Sequence, residues 1–350
     1  MRAAAYGVPL MTATITLEGT GSQRGEAHGE ALRDLIGEAA QRWQRQAGTR
    51  AEEQLAVLVD RSGFRQAAQH YAPDLHDEVE GIANASGVDA RRIWALNLLD
   101  EDWWIRESLA STEACSGFGV DRSGAQAALI AQNMDLPQWL NGLQVLLDIR
   151  PAHGPRVLAP TYAGMLATNV LNEHGVGVCV NTLTELPTDL RGVPVAFLIR
   201  QMANQPDLEG AIAVLRGQPH ASGQNYLIGT PQGIADFECG SGTMNECPAT
   251  GGRVAHTNHA LGIESGKQIN PTLANSSERL DALGERLAAW PAQLGPAEAS
   301  AILLDPPLCR GTDGDRGFTF YSVIMELGPD PTLYLTGGSP DLHPYQKFSF

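Results

Sequence analysis

The amino-acid sequence predicts an α+β layered fold, and three observations lead there. Apolar residues recur at helical spacing from the N-terminal region as far as Trp104. From Cys115 onward, short strand-like runs bounded by Gly, Pro, Asn or Asp dominate. The helical stretches among those runs do not alternate strictly with them, which argues for helices and strands in separate layers.

In "RGEAHGEALRDLIGEAAQRWQRQ" the residues Leu32, Leu35, Ile36, Ala39, Ala40 and Trp43 form one helical stripe. Further stripes follow at Leu55, Leu58 and Val59, and at Leu75, Val79 and Ile82, each flanked by turn residues. Asp89 stands where an N-cap would open the helix of "RRIWALNLLDEDWWI". Beyond Cys115 the runs "AQAALIAQNMD", "LQVLLDIRP", "GVGVCVNTL", "GQNYLIGT", "QGIADFECG", "FTFYSVIMEL" and "TLYLTGG" read as strands. Between them "VPVAFLIRQMAN", "DLEGAIAVLRGQ" and "SSERLDALGERLAAW" read as helices. In the last, Asn275 and Glu278 have capping-box spacing, and Leu280, Leu283 and Leu287 make the apolar stripe.

The 350 residues are enough for a large core, and 43% hydrophobic with 18% charged residues describes a folded rather than a disordered chain. A net charge of -16 leaves no surplus of Lys and Arg to neutralise phosphates or anionic lipid, so nucleic acid and membrane surfaces are not expected partners. The sequence pI is near 4.9. No stretch has the length of a spanning helix or the pattern of a signal peptide, and a cytoplasmic protein is expected. The five cysteines are odd in number, widely spread and without a CxxC, unlike a secreted disulfide framework. Four of them read as small buried hydrophobes.

The fifth, Cys115 in "STEACSGFGV", sits where the helical style gives way to strands. A tight turn at "DRSGA" would return the chain antiparallel and bring Asp135, at the end of "AQNMD", back beside Cys115. "AHTNHAL" gathers His256, Asn258 and His259, a density of polar side chains that a plain core strand avoids. "PPLCRGTDG" sets Arg310 beside Cys309. A nucleophile, a carboxylate, an amide donor and a cation are the parts of an acyl-transfer site. Arg310 serves either as a site cation or in a structural ion pair, and Asn181 in "VNTL" either bonds at a strand end or lines a pocket. His256 and His259 read as structural or pocket-lining, and Trp103 and Trp104 as core or pocket wall. Cys239, Cys247, His256 and His259 offer zinc-type side chains, but their spacings match no common structural site, so no metal is assigned.

Taken in order, "GTGSQRGEAHGEAL", "WALNLLDE", "ACSGF", "QNMD", "TNVLNEHGVGVCVNTL", "HTNHAL", "PLCR" and "LYLTGGSPDLHPYQKFSF" resemble the acyl-coenzyme A:6-aminopenicillanic acid acyltransferase family, peptidase family C45, among the N-terminal nucleophile hydrolases. The resemblance implies a four-layer αββα sandwich with a helical N-terminal region. It also implies self-cleavage between Ala114 and Cys115, dividing the protein into a mainly helical chain 1–114 and a nucleophile-bearing chain 115–350. Ala114 stands where relatives often have glycine, which makes a strained scissile bond harder to form. Cys115 would be the nucleophile and its own α-amine the base. Asp135 would orient that amine, Asn258 would hold the oxyanion, and Arg310 would grip a carboxylate or steady the pocket. No metal or organic cofactor is called for, although a coenzyme A thioester is one acyl donor open to such a site. The expected partners are a small acylated amine or thioester and the two chains themselves. Two other readings compete: an uncleaved, non-enzymatic binding or scaffold protein, and an uncleaved thiol hydrolase with His256 as base.

Overall fold

The computed structural model describes residues 14–105, 115–124, 126–262, 274–290, 294–312 and 317–350. Helices fill the N-terminal region: α1 (Gly21–Ala31), α2 (Arg33–Ala47), α3 (Ala51–Leu55), α4 (Phe64–Tyr71), α5 (Pro73–Ser86), α6 (Ala90–Asn97) and α7 (Leu99–Ile105). The single stripe expected over 24–46 is two helices meeting at Leu32, and only α2 carries the apolar face, burying Ile36, Ala39, Ala40 and Trp43. Helix α1 buries Gly21, Arg24, Gly25, His28 and Gly29 instead. It lies so close to α5 that a Cβ on Gly25 would stand 2.1 Å from the Glu78 carbonyl oxygen. Asp89 caps α6 as expected, its side chain accepting from the Arg91 N–H at 3.0 Å.

Two sheets follow. The larger has eight strands in the order β1 (Thr14–Gly19), β4 (Gln144–Pro151), β5 (Val157–Tyr162), β6 (Val170–Asn172), β7 (Gly177–Thr182), β8 (Gln224–Thr230), β9 (Gly233–Gly240) and β10 (Thr243–Glu246). All its pairings are antiparallel except β1 with β4. The smaller has six antiparallel strands in the order β11 (Arg253–His256), β2 (Ser116–Val120), β3 (Ala128–Leu136), β12 (Phe318–Leu327), β13 (Thr332–Thr336) and β14 (Tyr345–Phe348).

The sheets face one another through β2 and β3 against β7, β8 and β9. Strand β3 is buried along its whole length, as a strand covered on both faces must be. Helices α8 (Val195–Ala203) and α9 (Leu208–Gly217) pack on β6 to β9, while α10 (Ala274–Ala289) and α11 (Pro296–Leu304) pack on β2, β3, β11 and β12. The protein is therefore a mixed α+β fold with two sheets and a helical N-terminal region. The capping box expected at the start of α10 is absent: Asn275 lies inside the helix, and its side chain accepts from Arg279 Nε at 2.8 Å. Among the described residues no helix is long and apolar enough to cross a membrane.

Candidate active site

The expected hairpin is present. Strand β2 pairs with β3 from Ser116 opposite Asn133 to Val120 opposite Leu129. Ser123 and Gln126 exchange backbone hydrogen bonds across the turn, where Gly124 takes a positive φ of 58°. Cys115 precedes β2 directly and is 6% exposed, with its Sγ 3.5 Å from Met134 Sδ and 3.9 Å from the Asp135 carbonyl oxygen. Its sulfur faces a narrow pocket walled by Leu99, Trp103, Met134, Met165, Val180 and Ile199, with Asp100 and Thr182 as polar points. Trp104 faces a different cavity, beside Phe64 and Leu190.

Asp135 is buried at the end of β3. Its Oδ1 accepts from Thr319 Oγ1 at 2.7 Å, and Arg310 Nη1 stands 3.7 Å from Oδ2, which has no hydrogen-bond partner among the described residues. Burial pushes the Asp135 carboxyl up to about 6, against the pull of Arg310 and Arg279. It is thus mostly ionised at neutral pH, with one oxygen open to a cation. Arg310 is held by the same Thr319, whose Oγ1 accepts the Arg310 backbone N–H at 2.9 Å.

Asn258 lies two residues beyond β11 and is buried. Its backbone N–H donates to Ser276 Oγ at 2.8 Å and its Nδ2 to the Thr182 carbonyl at 3.2 Å. A second Nδ2 hydrogen remains for another acceptor. His259 is fastened to Ser276 Oγ, 2.8 Å from its Nδ1. His256 has an oxygen on each ring nitrogen, Thr257 O on Nδ1 at 2.8 Å and Glu238 Oε1 on Nε2 at 3.0 Å. Burial works against its charge, but Glu238 and Asp236 outweigh it and raise its pKa. A histidine held in this way lacks the open nitrogen that a base for the thiol requires.

The residue that joins these parts is one the sequence reading did not single out. Arg279, on α10, is 1% exposed. Its Nη1 donates to the Cys115 carbonyl at 2.5 Å and to Ser116 Oγ at 2.8 Å, and its Nη2 donates to Asn258 Oδ1 at 3.2 Å. Burial lowers its pKa to about 10, opposed by Asp135, so it stays cationic at neutral pH. A readable signal existed: Arg279 falls between Ser276 and Leu283 on the buried face of α10, where a charge has no place unless it is paired.

A two-sheet α+β body thus brings Cys115 and the buried Asp135 to one pocket and ties the Asn258 amide to the Cys115 carbonyl through Arg279. The chain belongs to the Acyl-coenzyme A:6-aminopenicillanic acid acyl-transferase family, whose model matches residues 122–325. Asp135, Asn258, Arg279 and Arg310 lie inside the matched span, and Cys115 lies just before it. Among solved structures, the chain is similar to a Caenorhabditis elegans N-acylethanolamine-hydrolyzing acid amidase ortholog at 14% identity and a TM-score of 0.47, over 61% of this chain and 92% of that one. It is also similar to a conjugated bile acid hydrolase variant from Clostridium perfringens at 13% identity and a TM-score of 0.45, over 66% and 92%. A third is penicillin V acylase from Agrobacterium tumefaciens, at 14% identity and a TM-score of 0.43, over 67% and 86%.

Proposed function

We propose that the protein is a cysteine N-terminal nucleophile enzyme of the αββα type, which cleaves itself between Ala114 and Cys115 and then cleaves or transfers acyl groups of amides or thioesters. The observation that carries this reading is the Arg279 clamp, which fixes the Cys115 carbonyl and the Asn258 side chain to one rigid group. Ala114 lies outside the described residues.

Within an intact chain a thiol of pKa about 8.5 is only a few per cent ionised at neutral pH. Cleavage gives Cys115 an α-amine whose reference pKa, about 7.7 to 8.0, suits a base at neutral pH. The thiol then attacks the substrate carbonyl carbon while the α-amine takes its proton. The resulting oxyanion accepts from Asn258 Nδ2, a contribution typically of about 3 to 4 kcal/mol. Collapse breaks the bond to the leaving group, which departs with the proton from the α-ammonium, and a thioester on Cys115 remains. Water releases the acyl group as an acid, whereas an amine carries it away as a new amide. Asp135 Oδ2 orients and stabilises the ammonium form. Arg310 keeps Asp135 in place. The apolar wall of Leu99, Trp103, Met165, Val180 and Ile199 favours an apolar acyl group. The substrate is a small acylated amine or thioester, a coenzyme A thioester among them.

The test is intact mass under denaturing conditions for the wild type and Cys115→Ala. Two wild-type fragments dividing between Ala114 and Cys115, with an uncut variant, are expected. One full-length mass in both would overturn self-processing.

A further inference from the structure

Three neighbouring strands bring metal-ligating side chains together. Asp236 comes from β9 in the larger sheet, Cys247 follows β10, and His256 closes β11 in the smaller sheet. One ligand atom from each lies within 4.8 Å of the others. The sequence reading paired Cys247 and His256 with Cys239 and His259; the fold replaces those two with a carboxylate.

The geometry points to a site for one divalent transition metal of the zinc class, held by Asp236, Cys247 and His256 and independent of the acyl site. Carboxylate, thiolate and imidazole are the donors zinc takes, and three protein ligands leave a fourth position open. Asp236 is 2% exposed, yet its Oδ2 has no hydrogen-bond partner among the described residues. Its Oδ1 is already fixed, accepting from Asn225 Nδ2 at 2.5 Å, so the open oxygen is oriented by its neighbour. Outer-shell bonds of this kind orient metal ligands, and Glu238 does the same on His256 Nε2, so the metal would take Nδ1 in exchange for its present bond to the Thr257 carbonyl.

Because a thiol and an imidazole must shed protons to ligate a metal, affinity should rise with pH. An entry path exists: Asp236 and Cys247 line a surface cleft of about 790 Å³ between the hairpin turn at Asp121 and helix α10.

The fixed oxygen of Asp236 also heads a chain of buried amides between the sheets. Asn225 Oδ1 accepts from Asn181 Nδ2 at 2.9 Å, and Asn181 Oδ1 from Gln132 Nε2 at 2.9 Å. Gln132 Oε1 accepts from Asn169 Nδ2 at 2.7 Å, and Asn169 Oδ1 from the Tyr321 hydroxyl at 2.8 Å. Tyr321 bonds Thr168, which lines the Cys115 pocket. Asn181, next to the last residue of β7, is thus a strand-end hydrogen bonder that links this chain, and it is not among the residues that line the Cys115 pocket.

The test titrates chelator-treated, full-length protein with Zn²⁺ and with Co²⁺. One equivalent should bind per chain, and Co²⁺ should give thiolate charge-transfer absorption. That absorption should persist in Cys115→Ala and vanish in Cys247→Ser, a half-buried position whose metal-free melting temperature should match the wild type. Asp236→Asn should weaken binding by about 100-fold, as loss of a ligand or its support does. No stoichiometric binding, or the same absorption in Cys247→Ser, would overturn the site.

Discussion

A single guanidinium, that of Arg279, satisfies four acceptors at once: the Cys115 carbonyl, Ser116 Oγ, Asn258 Oδ1 and Asn275 Oδ1. Lysine keeps the charge but offers a rotating point donor in place of a planar fork. Arg279→Lys should therefore free Asn258 to turn away from its proposed oxyanion position, lowering kcat by about 100-fold, while KM changes little. Unfilled buried acceptors should also cost about 1–3 kcal/mol of stability, read by denaturant unfolding. An unchanged kcat would reduce Arg279 to a structural pin. At this scale the sequence showed Cys115 and Asp135 because a hairpin of short reach joins them. Asn258 was marked by the polar density around it. Arg279 is 164 residues from Cys115 and reaches it only through the packing of α10, which no local pattern records.

Among the elements, those with one wet face and one dry face were the most readable. Helix α2, with its buried Ile36, Ala39, Ala40 and Trp43, and the α10 stripe follow the period that burial imposes. Edge strands were not, because most of their residues stay in contact with water: Leu17 is the only buried residue of β1, and β10 buries none. Helix α1 was misread for the opposite reason. It packs through glycines, and close backbone approach leaves no hydrophobic signal. Gly25→Ala should force α1 and α5 apart, since its Cβ would meet the Glu78 carbonyl oxygen at 2.1 Å, with a cost of about 1–3 kcal/mol or more. Gly37→Ala, in α2 with nothing within 4 Å of the new Cβ, should instead stabilise by up to about 1 kcal/mol. Equal effects of the two, measured by thermal unfolding, would show that helix propensity rather than the crossing decides.

Across the whole molecule, the proposed cut after Ala114 would break the chain without opening its interior. Glu78 of α5 holds Arg200 of α8 at 2.9 Å, Tyr162 of β5 donates to Leu96 of α6, and Glu101 of α7 accepts from the Val195 N–H at 3.1 Å. These cross-boundary carboxylates also set how stability responds to pH. Burial opposes the charge of Glu78, but Arg200 and Arg24 outweigh it and hold its carboxyl below the usual range. That stabilisation is present above the ordinary carboxylate pKa and is lost as pH falls below it. Burial, then Asp100, pushes Glu101 up to about 8, and burial raises Asp135 and Asp236 to about 6. The folded state holds those protons more tightly than the unfolded chain, so stability must fall as pH rises, between the ordinary carboxylate pKa and about 6 for the aspartates and about 8 for Glu101. Self-repulsion from a net charge of -16 adds to the same limb. Stability should therefore peak near about pH 5 and decline toward about pH 8, by about 1.4 kcal/mol per pH unit for each proton fully lost. Glu101→Gln removes one such proton from the linkage and should flatten the decline above about pH 6. A wild-type melting temperature that stays level from acid to mildly alkaline pH would mean that water reaches these carboxylates and their protons are not held by burial.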